Sequence, residues 1–180
     1  FMRQLAHLGR PDAMINQRSL AAMLRAHVAT SVQPRTVDGS AHIVSWLPVL
    51  SLRSPASPIE HSYGLIVESG DWTAEFSDRQ RVVAPGGYVP FLPLLDLPFR
   101  EVVRLLKDAV DAAGLPQSIV PTFPLDPVLE LALAATSHWS LLAERWLESG
   151  YPPNDEMARL APTNRFVQSW QETRRNAIFG

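Results

Sequence analysis

The sequence predicts an α+β fold, in which a small, mostly antiparallel sheet in the middle of the chain is followed by a helical C-terminal half. Two observations predict it. Between residues 41 and 95, β-branched and aromatic residues form short runs that are separated by Gly and Pro. From residue 98 to residue 178, apolar residues recur at helical spacing. Strands followed by helices are typical of the α+β class rather than of a wound α/β fold.

An amphipathic helix is predicted over residues 16–29, ahead of the sheet. Leu20, Met23 and Leu24 lie on its apolar side. Asn16 or Ser19 can cap its first turn, since both side chains accept hydrogen bonds from free backbone N–H groups. The helix is expected to end before Pro34.

The sheet region spans residues 41–95. The segment Ala41–Leu47 reads as a first strand, and Pro48, Pro55 and Pro58 predict a loop after it. The runs Tyr63–Glu68 and Trp72–Ser77 predict a hairpin, because Gly70 supplies the positive φ that a tight turn requires. A second, weaker hairpin is predicted over residues 81–89, around Pro85-Gly86-Gly87. Three to five strands are expected in all.

The segment Tyr88–Phe99 is nearly all apolar, yet it contains prolines at positions 90, 93 and 98. Proline cannot donate to a sheet ladder, so the pattern predicts an extended, polyproline-like crossing that packs on the core. If part of it is exposed, the segment would form an apolar patch for a protein partner. The residues predicted to bind such a partner are Tyr88, Phe91, Leu92, Leu94 and Leu95.

Helices are predicted throughout residues 98–178. The clearest begins at Pro98 and carries an apolar stripe that includes Val102, Leu106 and Val110. A buried helix is expected over residues 128–135 and an amphipathic one over 138–149. Capping Asn154 predicts a short helix over residues 155–160, and a last helix spans residues 164–178.

Composition excludes several classes of protein. The chain has 180 residues, of which 46% are hydrophobic and 19% charged, so it is not a disordered chain. A net charge of −2 argues against nucleic acid as the partner. The length predicts a single domain over residues 1–180, and the lack of a long apolar run predicts a cytoplasmic protein without a membrane partner. All but one of the basic residues are arginine, which is typical of a GC-rich bacterial genome.

No motif for a cofactor or metal is present. The sequence has no cysteine, and none of its five histidines is paired at helical spacing. Phosphate-binding loops, nucleophile elbows and zinc-protease motifs are also missing. We therefore expect no cofactor and no metal site.

Two carboxylates in the predicted hairpin are candidates for acid–base chemistry. If Gly70-Asp71 is a two-residue turn, Ile66 opposes Glu75, and Glu68 lies diagonally from Glu75 at roughly 7–8 Å. A pair at that distance is compatible with hydrolysis. The alternative is that both carboxylates face water as ordinary surface residues.

Residues 138–175 resemble the C-terminal segment of small bacterial proteins. The shared features are the Trp-rich run HWSLLAERWLESGYP, a short acidic helix and a closing SWQETRR. The resemblance implies a structural helical end and carries no catalytic residue.

Two functions follow as hypotheses. The first is a non-enzymatic protein-interaction module, such as an immunity or adaptor protein, that binds another protein (a toxin, for example) or a second copy of itself. The alternative is a small-molecule hydrolase with a cleft between sheet and helices. Its candidate catalytic residues are Glu68, Glu75, His42 and His61.

Overall fold

The structure is a computed structural model, and it describes residues 17–27, 32–53, 59–135 and 137–179. These residues form two compact units. The first unit holds residues up to Arg53, residues 59–87 and Val103–Phe123. The second unit holds Tyr88–Val102 and the residues from Pro124 onward. The single domain predicted for residues 1–180 stays a prediction.

The first unit contains helix α1 (Gln17–His27) and a five-stranded sheet. Its strands are β1 (Gln33–Val37), β2 (Ile43–Arg53), β3 (Glu60–Ile66), β4 (Trp72–Ala74) and β5 (Arg81–Val82). They lie in the order β4-β3-β2-β1-β5, and each neighbouring pair is antiparallel except β1 and β5. The predicted antiparallel sheet and the α+β class are therefore confirmed.

The two ends of the sheet meet, so that the five strands close into a small barrel. Glu75, directly after β4, pairs with Val82 of β5, and the Phe76 N–H donates to the Arg81 carbonyl at 2.9 Å. In a meander with an odd number of strands, the first and last strands run in the same direction. This explains why β1 and β5 are parallel.

The barrel interior is filled by apolar side chains around Trp46, as expected of a small barrel. The Trp46 indole N–H donates to Thr73 Oγ1 at 3.1 Å. A Cβ at Gly64 would lie 2.6 Å from the Trp46 ring and 2.2 Å from the Leu47 carbonyl oxygen, so only glycine fits there. The buried cluster consists of Val44, Trp46, Ile66 and Val82, with Val37 packed against it.

Outside the barrel, the first unit is completed by helical segments. A 3₁₀-helix (Gln117–Thr122) brings Phe123 edge-on to Trp72, with ring centroids 4.8 Å apart, and the Trp72 indole N–H donates to Thr122 Oγ1 at 2.9 Å. Leu20 and Leu24 of helix α1 are buried, as the sequence predicts. Phe123 and Thr122 thus pack against Trp72 of strand β4.

Helix α2 (Phe99–Ala112) confirms the clearest of the sequence predictions. Val102, Leu106 and Val110 are fully buried, while Arg104 and Asp108 form an exposed ion pair at 2.9 Å. Glycine at position 114, with φ of +67°, ends this segment in the left-handed conformation that an L side chain rarely adopts.

The second unit is helical. Besides the start of α2, it contains α3 (Leu125–Ala134), α4 (Ser137–Glu148), α5 (Asp155–Leu160) and α6 (Arg165–Phe179). Phe99, Trp146 and Tyr151 form an aromatic cluster with ring centroids 5.7 to 6.1 Å apart. Asn154 Oδ1 accepts a hydrogen bond from the Met157 N–H at 2.9 Å, so the predicted cap of α5 is confirmed.

Strands β1 and β2 correct the sequence prediction. Strand β1 was not expected, because QPRTV shows no alternation of apolar and polar residues and contains Pro34. Strand β2 was expected to end before Pro48, but it runs through to Arg53. The pairing of β2 with β3 shifts register between Pro48 and Leu50, and such a bulge tolerates a residue that has no N–H.

The predicted second hairpin is wrong, and the predicted crossing packs its Phe and Leu side chains inward as expected but is not extended. Strand β5 pairs with β1, and Val89–Asp96 forms a 3₁₀-helix. The φ of a 3₁₀-helix lies close to the value that a proline ring imposes, so Pro90 and Pro93 are accommodated in it.

Within the described part of the chain, no helix combines the length and apolar character of a membrane span.

Candidate partner-binding pocket

The apolar tract predicted to bind a partner is turned inward. Phe91, Leu92, Leu94 and Leu95 are only 1% to 6% exposed, and Tyr88 is half-buried. The short 3₁₀-helix brings all four side chains to buried positions, which an extended chain with alternating directions would not do. The tract therefore offers no exposed patch of the kind that the prediction required.

The candidate carboxylates do not form the pair that the sequence suggested. Strand β4 pairs with β3 in a register that places Leu65 opposite Trp72, and the turn before β4 is longer than two residues. Consequently the Glu75 N–H donates to the carbonyl of Ser62, not of Ile66. Glu68 lies in the turn before β4 and Glu75 lies just after β4, so the whole strand separates them.

Glu68 joins the turn to its neighbours. Its carboxylate accepts a hydrogen bond from the Ser45 N–H at 2.9 Å, and its carbonyl accepts one from Arg25 of helix α1 at 3.2 Å. Burial raises the pKa of Glu68, but the hydrogen bonds from Ser45 and the charge of nearby His42 outweigh burial and hold the pKa below its usual value. Glu68 and His42 are thus the one predicted acid–base combination that the described residues bring together.

The side chains of Glu75 and His61 point to opposite faces of the sheet, so they do not form an acid–base pair. His61 lies on β3 opposite Leu52, and it precedes Ser62. Because successive side chains of a strand point to opposite faces, His61 faces away from the side that Ser62 shares with Glu75. The structure therefore does not assemble the four candidate residues into one cleft.

Glu75 is instead half of an ion pair inside the barrel. Arg35 of β1 donates through Nε to Glu75 Oε1 at 2.6 Å, and the two side chains are only 14% and 7% exposed. The Arg35 guanidinium also lies 5.5 Å from the centroid of the Trp46 ring. Its other nitrogens donate to the Pro34 carbonyl and to the Gln33 side chain, so the guanidinium is held on all sides.

A pocket of about 170 Å³ opens beside Glu75. It lies where strand β3 begins and strand β4 ends, at one end of the barrel. Ile59 lies at its rim and is 53% exposed. The hydroxyl groups of Ser62 and Ser51 are hydrogen-bonded to each other at 3.1 Å. The pocket is lined by Ile59, Glu60, Ser62, Glu75, Phe76, Ser77 and Arg79.

The turn from Phe76 to Arg81 forms one wall of the pocket. Asp78 Oδ1 accepts hydrogen bonds from the N–H groups of Gln80 and Arg81, and these bonds together with the Arg81 guanidinium lower the pKa of Asp78. Arg79 has φ of +54°, a conformation that is strained for any residue with a Cβ. Its side chain is 71% exposed and reaches Glu60 at 3.2 Å.

Most of these pocket residues could not be predicted from the sequence. Glu75 was a candidate, but Arg35, Ile59 and Arg79 were not, since the pocket depends on barrel closure and on a register that the sequence does not show. The polar residues in QPRTV were the one available signal, because a strand with a charged residue in a small barrel needs an interior partner for it.

No described group of three or more His, Asp or Glu residues is placed to hold a metal ion. No protein-family model matches this sequence, and no curated protein or solved structure shows significant similarity to it. The pocket therefore has to be interpreted from its own geometry and chemistry.

Proposed function

We propose that this chain is a protein-interaction module of the adaptor type, and that it binds its partner through the pocket at the end of the barrel. The supporting observation is the pocket itself, which is lined by an exposed apolar residue, Ile59, and by a buried carboxylate, Glu75. An exposed apolar rim around a polar interior suits the insertion of one partner side chain.

The size of the pocket supports a protein partner over a small molecule. Small-molecule sites usually enclose about 300–1,000 Å³, and this pocket has a volume of about 170 Å³. A space of that size suits one amino-acid side chain, while the backbone of the partner stays outside. An immunity protein and an adaptor share this requirement, so the pocket supports the property that they have in common.

The state of the carboxylates also supports binding over the hydrolase alternative. Glu75 is engaged by Arg35, and the pKa of Glu68 is lowered by the hydrogen bonds of Ser45. A general acid that works near neutral pH needs the opposite, a raised pKa. Each carboxylate therefore has a structural role that accounts for its position.

The proposal is tested by selection from a phage-displayed library of random peptides. Wild-type protein is the bait, and the enriched peptides are then measured against two variants. Ile59→Asp places a charge on the pocket rim. Leu141→Asp is the matched control, since Leu141 is also an exposed large apolar residue and does not line the pocket.

We expect enriched peptides to bind Ile59→Asp at least about tenfold more weakly than wild type, because hot-spot positions contribute that much or more. The same peptides should bind Leu141→Asp and wild type equally. Peptides that bind Ile59→Asp as tightly as wild type, or a selection that enriches none, would overturn the proposal.

A further inference from the structure

We propose that the partner side chain that enters the pocket is a lysine; this inference rests on the proposed function. The pocket changes in character from rim to floor. Ile59 and Phe76 supply apolar surface, and the Glu75 side chain, which is only 7% exposed, supplies the carboxylate of the floor. Lysine has the same order of groups, with a four-carbon apolar stem that ends in a cation.

Both carboxylates that line the pocket are paired with arginines. Two carboxylates, Glu60 and Glu75, line it together with one cation, Arg79, so the formal charge of the lining is −1. Arg35 does not line the pocket, and it contacts Glu75 through Nε and Oε1 alone. With Arg35 counted, because it contacts Glu75 at 2.6 Å, these four side chains are neutral, and the choice of occupant rests on the acceptor atoms of the pocket.

The hydrogen-bonding state of Glu75 favours an ammonium group. Oε1 accepts from Arg35, while Oε2 accepts no hydrogen bond from any residue in the described ranges. A buried carboxylate is stabilised by several donors, and an ammonium group has three. The Ser62 hydroxyl lines the same pocket and offers a second acceptor.

The same geometry disfavours arginine as the occupant. A guanidinium binds a carboxylate best through two parallel hydrogen bonds, one to each oxygen. The Oε1 atom of Glu75 already accepts a hydrogen bond from Arg35. A compact ammonium needs only the remaining oxygen, so lysine fits the pocket better than arginine does.

Arg79 competes with the incoming cation. Its guanidinium lies at the rim and pairs with Glu60, while its backbone is held at φ of +54°. The variant Arg79→Gly removes this cation and relieves the backbone conformation, since glycine adopts positive φ readily. It should therefore leave the fold intact and strengthen lysine binding.

The test is an NMR titration of the full chain with Nα-acetyl-lysine methylamide, with the norleucine analogue as the uncharged probe of similar length. The amide signals of Ser62, Phe76 and Ser77 report on the pocket. Glu75→Gln removes the floor charge, and Arg79→Gly removes the competing cation. Glu156→Gln is the matched control, because Glu156 is also paired with an arginine, at an exposed site that does not line the pocket.

We expect saturable shifts at the three reporters with the lysine probe and none with the norleucine probe. Glu75→Gln should weaken the lysine probe about tenfold, Arg79→Gly should tighten its binding several-fold, and Glu156→Gln should change it less than about twofold. If Glu75→Gln does not fold, the Arg79→Gly variant alone tests the inference. Tighter binding of the lysine probe to Arg79→Gly than to wild type supports the inference, and unchanged or weaker binding overturns it.

The outcomes also separate this inference from the proposed function. If the norleucine probe shifts the reporters as strongly as the lysine probe, or if pocket-dependent phage peptides carry no lysine, the occupant is not lysine and the interaction module stands. If neither probe shifts the reporters, and the phage peptides also ignore Ile59→Asp, both proposals are wrong.

Discussion

The guanidinium of Arg35 and the carboxylate of Glu75 meet inside the barrel, with Nε and Oε1 2.6 Å apart. The two residues lie 40 positions apart in the chain, on β1 and just after β4. They come together because β5 pairs with β1 on one side and with Glu75, at the end of β4, on the other, which closes the barrel. The pair thus connects the two ends of the sheet and places a charged group beside the pocket.

Breaking this pair should strongly destabilise the protein. In Arg35→Met, Glu75 stays buried without its cation, and we expect the free energy of unfolding to fall by about 3–5 kcal/mol. The double variant Arg35→Met/Glu75→Leu leaves no buried charge, so it should recover most of that loss. Urea denaturation of the wild type, both single variants and the double variant measures the coupling; a double variant no more stable than Arg35→Met would contradict this account.

Gly64→Ala should test the close contact at the centre of the barrel. The added Cβ would lie 2.2 Å from the Leu47 carbonyl oxygen. This oxygen belongs to the backbone of β2, which is held in the sheet by its pairing with β3 and cannot move aside freely. We expect a loss of at least about 1–3 kcal/mol in the free energy of unfolding. Gly39→Ala is the comparison, because its Cβ meets nothing within 4 Å and only its φ of +74° is unfavourable, at about 1–2 kcal/mol. A smaller loss at Gly64 than at Gly39 would count against the packing described here.

The lowered pKa of Glu68 predicts a pH dependence of stability. Folding holds the Glu68 pKa below its usual value of 4.5, so the ionised form is favoured in the folded state. This contribution is fully present above the unfolded pKa and is lost as the pH falls through the folded pKa. The difference in free energy of unfolding between wild type and Glu68→Gln should therefore be constant well above pH 4.5 and shrink below it.

Ser45→Ala provides the control for Glu68. Removing the Ser45 hydroxyl takes away one hydrogen bond that lowers the pKa, so the Glu68 pKa should rise in this variant. Titration of the Glu68 carboxyl carbon by NMR measures it directly. A Glu68 pKa above its usual value in the wild type would contradict the account and would favour the acid–base alternative.

Asn154 should stabilise the second unit in two ways. Its Oδ1 caps helix α5, and its Nδ2 donates to Glu130 at 2.8 Å. Asn154→Ala loses both bonds, and we expect a loss of about 1–2 kcal/mol in the free energy of unfolding. Asn154→Ser keeps a capping oxygen and should lose less. Chemical denaturation checks the order of the three proteins, and equal stability of the Ala and Ser variants would show that the cap contributes nothing.

The helices could be predicted from the sequence because their signals are local. The apolar stripe of α2 and the capping Asn154 of α5 specify elements whose hydrogen bonds lie within a few residues of each other. The hairpin between β3 and β4 was also located, since Gly70 lies in its turn at φ of +79°. The register of this hairpin could not be predicted, because its turn is two residues longer than the expected two-residue turn, and a longer turn shifts every cross-strand partner.

The barrel closure and the pocket could not be predicted, since they depend on contacts between distant residues. Strand β5 has only two residues, and its partners are β1 and Glu75. The charged residue in QPRTV suggests that Arg35 needs an interior partner, but nothing local shows that this partner lies 40 residues later. The apolar tract around Phe91 was misjudged because the proline spacing fits a 3₁₀-helix as well as it fits an extended chain.

The most direct test of the central claim is chemical-shift mapping of the wild-type protein with an enriched phage peptide. The account predicts that the largest amide shifts lie at Ile59, Ser62, Phe76 and Ser77, around the pocket. Largest shifts on other surfaces, such as helix α4 around Leu141, with the pocket amides unmoved, would contradict it.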